Sequence, residues 1–275
     1  MSSFFEYYFE SNGLHLKYAC SAPSVRGREL HDYHEFVFFL GEKARFTSKT
    51  IQQDLKVGNV IVIPKNTFHR FDVAEKAYTR CILGFHGNAS LQALIQSIGP
   101  DTRLIEVPSS SVQTILDGLL EISKVSLPSE EKALYLYASI VRLLFEFKDE
   151  SRAVKQNINL SRPVQDALVL IDEKYTEDIT VSKLAALLHV SESLLAHKFK
   201  SEMHISVYRY ISQKRLAVAK ELIASGTPIT VAAVQSGFSD YSCFLRMYKS
   251  QYSALPSAAS TIITHDYFSS KQDNS

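Results

Sequence analysis

The stretch GFSDYSCFLRMYKSQY, residues 237–252, decides the fold. It opens on a glycine, passes a Ser-Asp pair of the kind that starts helices, and then sets Phe244 and Tyr248 four residues apart, on one helical face. The opposite face carries Tyr241, Ser242, Arg246 and Lys249. A helix divided in this way packs a core behind it and leaves a polar front. What that front meets depends on whether the stretch stands alone.

It does not stand alone. Ile179-Thr-Val returns fifty residues later as Ile229-Thr-Val, and Phe199-Lys200-Ser201 returns forty-nine residues later as Tyr248-Lys249-Ser250. Each copy reads as a short helix, a tight turn and a second helix. VSKLAALLHV leads through Ser191 into ESLLAHKFK, and TVAAVQSGF leads through Ser239-Asp240 into YSCFLRMYK. Two short helices joined by such a turn form a helix-turn-helix unit. The spacing predicts cores of Leu184, Leu187, Leu195 and Phe199 in the first unit, and of Val231, Val234, Phe244 and Tyr248 in the second. The polar face left over in the first unit holds Ser193, Ala196, His197 and Lys200.

Charge points the same way. Nine Lys or Arg stand against four Asp or Glu between Ile179 and Ser253, while the whole chain is only +1. Basic residues gathered in one region are what phosphate contacts require. A solvated basic face on an ordinary helical bundle has the same composition, and the duplication weighs against it.

These residues resemble the AraC family of transcription regulators over roughly Ile179–Pro256. LAALLHVSESLLAHKFKSE is similar to the family's first unit, RLAVAKELI (215–223) to its connecting helix, and PITVAAVQSGFSDYSCFLRMYK to its second. The resemblance implies two recognition helices entering successive major-groove segments on one face of double-stranded DNA. The DNA-binding residues it implies are Ser193, Ala196, His197 and Lys200 in the first unit, and Tyr241, Ser242, Arg246 and Lys249 in the second. Arg246 has the fork that bonds guanine O6 and N7 together. Tyr241 and Ser242 contact base or phosphate, and Lys200 and Lys249 position the helices on phosphates. The family often has an arginine where His197 stands. It also usually has a glycine after each recognition helix, where this chain has His204 and Ser253; a positive φ there would strain both.

The 275 residues, 45% hydrophobic and 21% charged, have the composition of a globular chain of about two domains. Cys20, Cys81 and Cys243 form no C-x-x-C, which argues against a disulfide scaffold and for a reducing compartment. The N-terminus has no cationic start and no window reaches membrane-helix length, so the expected location is cytoplasmic.

The first part reads as short strands, HEFVFFLG (34–41), residues 44–73 and YTRCILGFH (78–86), a sandwich or barrel. With LKVGNVIVIPKNTFHRF it resembles the cupin-like sensor barrel of many AraC-type regulators. Metal-binding cupins set histidines and a glutamate around a metal, and this chain offers His31, His34, Glu35 and His69. Strand alternation turns His31 from His34, and His34 from Glu35, so no metal site and no cofactor are expected. A small-molecule effector is expected instead, with His34, His69, Phe71 and Arg80 as pocket walls. Helical spacing from Leu91 to Glu150 is similar to the family's dimerisation segment.

The expected class is therefore α+β: a cupin-like β-barrel over 1–90, a helical dimerisation segment over 91–150, a linker over 151–161, and an all-α domain with two helix-turn-helix units over 162–275. The expected function is a non-enzymatic, sequence-specific transcription regulator, a homodimer under a small ligand's control. RNA polymerase is a partner if the chain is an activator, and no membrane is involved. The alternatives are a cupin-type metal enzyme and a regulator acting by protein contact with a degenerate DNA domain.

Overall fold

A computed structural model describes residues 5–21, 30–41, 43–73, 78–88, 90–99, 101–106, 108–148, 160–252, 254–257 and, for backbone only, 265–270. The chain divides into two compact units, residues 1–158 with 262–275, and residues 159–261. The backbone of His265–Ser270 pairs with Phe5–Glu10 of the first unit.

In the first unit the strands are β1 (Phe5–Ser11), β2 (Leu14–Ser21), β3 (His34–Phe39), β4 (Ala44–Ser48), β5 (Gln52–Leu55), β6 (Val60–Ile63), β7 (His69–Val73), β8 (Tyr78–Phe85), β9 (Arg103–Ile105) and β10 (His265–Ser270). The helices are α1 (Gln92–Ser97), α2 (Ser110–Ile122) and α3 (Ser129–Glu146). The strands pair into two separate sheets, one ordered β10-β1-β2-β8-β3-β6-β9 and one ordered β5-β4-β7. No ladder joins the two sheets among the described residues, which corrects the expected barrel. The reason lies on the outer face of the larger sheet, where Phe36, Phe38, Val60, Val62, Leu83 and Phe85 pack with Leu119, Leu136, Ile140 and Leu143 of the helices. The inner face, with Val37, Phe39, Ile61, Ile63 and Ile82, packs on Phe46, Leu55 and Phe71 of the smaller sheet. A strand covered on both faces loses polar–apolar alternation, and β3 and β6 are buried at every position.

The second unit is helical: α4 (Arg162–Lys174), α5 (Val181–Leu187), α6 (Glu192–Met203), α7 (Val207–Ala224), α8 (Ile229–Gln235) and α9 (Tyr241–Tyr252). Side-chain oxygens cap four of them. Thr180 accepts from Lys183 N, Ser191 from Leu194 N, Ser206 from Arg209 N, and Asp240 from Cys243 N at 2.7 Å. The two helix-turn-helix turns are built alike. The backbone at His189 and at Gly237 is left-handed, φ +55° and +93°. In the first turn Val190 N donates to Ala185 O, and in the second Phe238 N donates to Ala233 O, each at 3.0 Å.

The expected cores hold in part. Leu184, Leu195, Phe199, Phe244 and Tyr248 are buried, but Leu187, Val231 and Val234 are 54%, 41% and 70% exposed. Ala185, Ala232 and Ala233 are buried instead. Ala232 and Ala233 cluster with Leu216, Ala219 and Ile223 of α7, where small side chains let the helix backbones approach closely.

A Cβ on Gly237 would lie 2.8 Å from Thr176 Cα and 2.9 Å from Tyr175 O, whereas Gly226, at the same φ of +93°, has open space around it. Both positions carry the left-handed penalty of about 1–2 kcal/mol for a side chain, and only Gly237 adds a clash with backbone. In chemical denaturation, Gly226→Ala is expected to cost about 1 kcal/mol and Gly237→Ala at least twice that.

Candidate nucleic-acid interface and sensor cleft

The aromatic core of the second unit sets the attitude of α9. Phe244 packs 5.3 Å from Phe238 and 5.5 Å from Tyr248, ring centre to ring centre, with Leu216 and Ile223 of α7 in the same cluster. In the first helix-turn-helix unit, Phe199 meets Tyr210 edge-on at 5.6 Å. With these rings fixed inward, the opposite faces turn outward. Ser193, Ala196, His197 and Lys200 on α6 are all exposed, as are Tyr241, Ser242, Arg246 and Lys249 on α9. Lys200, Arg246 and Lys249 make no ion pair with any described residue. Their charges are available to an external anion.

Several other basic residues serve the fold. Lys214 Nζ lies 2.6 Å from Asp172 Oδ1, and Arg215 donates to Tyr175 O and Glu177 O at 2.6 Å each. Lys183 pairs with Asp178 at 2.6 Å. Burial lowers the pKa of Arg215 from its ordinary value, with Asp178 opposing that effect. The acids of α4 and its following loop were outside the stretch counted from the sequence. Over residues 159–261 the count is eleven basic to nine acidic, so the interface is a local face and the unit as a whole is close to neutral.

The backbone after α6 turns left-handed at His204, φ +54°, the conformation a glycine would take without strain. Ser253, the corresponding position after α9, lies outside the described residues.

The four residues expected to wall an effector pocket do not gather. Along β3 side chains alternate, so His34 lies on the sheet face toward the helices and Glu35 on the face toward the smaller sheet. His34 lines a cleft of about 350 Å³ with Pro64, Lys65, Ile95, Gln96 and Gly99. Its Nδ1 accepts from Lys65 N at 3.3 Å, which leaves the hydrogen on Nε2. Burial, then the nearby Lys65, lowers the His34 pKa to about 4, so the ring is neutral at pH 7. Phe71 is in the core between the sheets, 5.1 Å from Phe46. Arg80 is held at a strand end by Ser21 O and Tyr78 O, with its guanidinium 4.2 Å over the Tyr78 ring.

His69 is fully buried between the sheets, where it meets His31 and Glu35. That meeting was not legible from the strand pattern, because His31 precedes β3 and the loop there turns it back over Glu35. The rest of this end of the sheet is also rich in rings. His31 stacks on Tyr33 at 3.9 Å, and His15 meets Tyr33 edge-on at 4.5 Å. His15 lies over Gly84, where a Cβ would approach its ring to 1.9 Å. Burial lowers the His15 pKa to about 4, against the attraction of Glu35.

Among the described residues no helix is long and apolar enough to cross a membrane.

The family model for a helix-turn-helix domain matches residues 184–261. The Msm operon regulatory protein of Streptococcus mutans is 23% identical over 251 residues, covering 86% of this chain and 87% of that protein. The raffinose operon transcriptional regulatory protein RafR of Pediococcus pentosaceus is 23% identical over 259 residues, covering 90% and 93%. Among solved structures, ToxT from Vibrio cholerae with a bound unsaturated fatty acid is 15% identical, with 96% of each chain covered and a TM-score of 0.41. The duplicated unit, the matched domain and relatives named as regulators along most of their length agree: this chain carries a helix-turn-helix domain and is similar to transcription regulators over most of its length.

Proposed function

We propose that the chain reads a bipartite DNA site through α6 and α9, and that its first unit senses a small effector. The observation that carries the DNA reading is the pair of exposed polar faces on two similarly built turns, with Lys200, Arg246 and Lys249 free of ion pairs among the described residues. Arg246, in the middle of α9, is the base reader. Lys200 and Lys249, in the last turns of their helices, hold phosphates. Ser193, Ala196 and His197 line the α6 face, and Tyr241 and Ser242 the start of α9.

The effector reading rests on the cleft beside α1. Its volume lies at the lower end of the range for small-molecule sites, about 300–1,000 Å³. His34 Nε2–H, the Lys65 ammonium and the Gln96 amide provide donors above an apolar floor of Ile95 and Pro64. A small molecule bearing hydroxyl or carboxylate oxygens fits that set. His69, Phe71 and Arg80 take no part in this cleft. Such a regulator works in the cytoplasm, and as an activator it meets RNA polymerase. A relative's name links that relative to a raffinose operon, which is consistent with a sugar-responsive role here.

A homodimer through α3 completes the reading. Its buried stripe, Leu136, Ile140, Leu143 and Leu144, packs on the sheet, while Leu134 and Phe145 remain 70% and 59% exposed, about three turns apart. Leu134→Glu with Phe145→Glu is expected to shift the protein from dimer to monomer in light-scattering chromatography; an unchanged mass places the interface elsewhere.

A random duplex pool incubated with the full chain and sequenced after retention tests the DNA reading. A two-part motif is expected, with one part relaxed in Arg246→Ala and affinity for the selected site lowered about 10- to 100-fold. Salt-sensitive binding without a motif, or unchanged selectivity in the variant, contradicts it.

Lys249→Ala is expected to weaken all duplexes alike and lower the salt slope by about one, with stability unchanged. Lys214→Ala should do the opposite, costing about 1–2 kcal/mol of stability with the Asp172 pair lost and leaving DNA affinity alone. Denaturation and binding curves on the same preparations separate the two roles.

A further inference from the structure

We propose that His31, Glu35 and His69 form a binding site for one divalent transition-metal ion between the two sheets of the first unit. His31 comes from the loop before β3, Glu35 from β3 in the larger sheet, and His69 from the start of β7 in the smaller one. All three are buried, at 7%, 2% and 0% exposure.

The distances suit a metal. His31 Nε2 lies 3.0 Å and His69 Nε2 3.7 Å from the same Glu35 oxygen, Oε2, and the three ligand atoms lie within 4.8 Å of one another. A triangle of those edges, even with the third at its longest, has a centre about 2.4 Å from each corner. Bonds of about 2.0–2.2 Å to zinc are reached from there by shifts of a few tenths of an ångström.

The tautomers suit it as well. His31 Nδ1 is 2.7 Å from Tyr33 O, and His69 Nδ1 is 3.1 Å from Thr67 O. A carbonyl oxygen only accepts, so each Nδ1 carries a hydrogen and each ring turns Nε2, the nitrogen left to bind a metal, toward Glu35 Oε2. A cation held among two ring nitrogens and a carboxylate oxygen suits this arrangement. A proton bridges two of these atoms, whereas a metal ion satisfies all three together. Backbone carbonyls that orient histidines through their second nitrogen are the usual outer support of a metal site.

Two imidazoles and a carboxylate suit zinc and its first-row neighbours better than calcium or magnesium, which take oxygen ligands. Three protein ligands leave a fourth position open for water or for an oxygen of a small molecule. The ion would also tie the two sheets together, since its ligands come from both. This site is separate from the cleft at His34, which lies on the other face of β3, and it does not depend on effector binding there.

The test uses the full chain without an affinity tag, stripped with chelator and dialysed in parallel against zinc, manganese and nickel, then analysed for bound metal. About one equivalent of at least one of these metals is expected per chain, falling at least tenfold in Glu35→Gln and in His69→Gln. Stripping should also lower the melting temperature, with recovery when the metal is returned. His34→Gln, with circular dichroism confirming that every variant is folded, should keep the wild-type content. Retention of no metal by the wild-type chain, or equal retention by the three variants, overturns the proposal and leaves a protonated His-Glu-His cluster.

Discussion

The second unit depends on one backbone constraint, the left-handed residue that ends the first helix of each helix-turn-helix pair. At His189 and at Gly237 the chain reverses within a residue, and the next amide is captured by the preceding helix. That reversal aims the second helix. In the second pair it also brings Phe238 inward, beside Phe244 and Tyr248 in the cluster with α7. Once those rings are fixed, the opposite side of α9 has nowhere to go but outward. Recognition is thus a consequence of packing: the residues that would read DNA are placed by residues that never touch it. The first pair carries a histidine in this conformation, whereas in the second a side chain would press on Thr176 and Tyr175, which close over the site.

Much of this was legible in the sequence. The repeat of Ile-Thr-Val and of Phe/Tyr-Lys-Ser fixed the units, and the aromatic spacing of four fixed the inner face of α9. Helical spacing failed at Leu187, Val231 and Val234, which a hydrophobicity pattern places inside and the structure leaves exposed. Short helices carry too few turns for a pattern to choose between neighbouring faces, and close helix approach favoured the alanines. Charge counting erred for a different reason. It took Lys214 and Arg215 as surface charge, although both are held by α4 and the loop that follows, outside the segment counted.

The first unit was legible as strands and helices but not as a closed form or as a site. Residues such as Val37 and Phe38 show that both faces of β3 are covered, and no local pattern says whether a barrel wall or a helix does the covering. Alternation correctly sent His34 and Glu35 to opposite faces, so the residues grouped as pocket walls became divided. What alternation could not reveal was His31, whose position is set by a loop outside the strand, or the smaller sheet that brings His69 across to Glu35. Convergence of residues from different elements is a property of topology and leaves no period in the sequence.

In the proposed reading, two similarly built helices read DNA side by side from one chain. Methylation interference on a retained duplex tests it most directly, because guanine N7 lies in the major groove, where both helices would enter. Interference is expected in two segments about one helical turn apart on the same face. In Arg246→Ala the signal should vanish from one segment and persist in the other. Interference confined to a single segment in the wild-type protein, or absent from both, would contradict it.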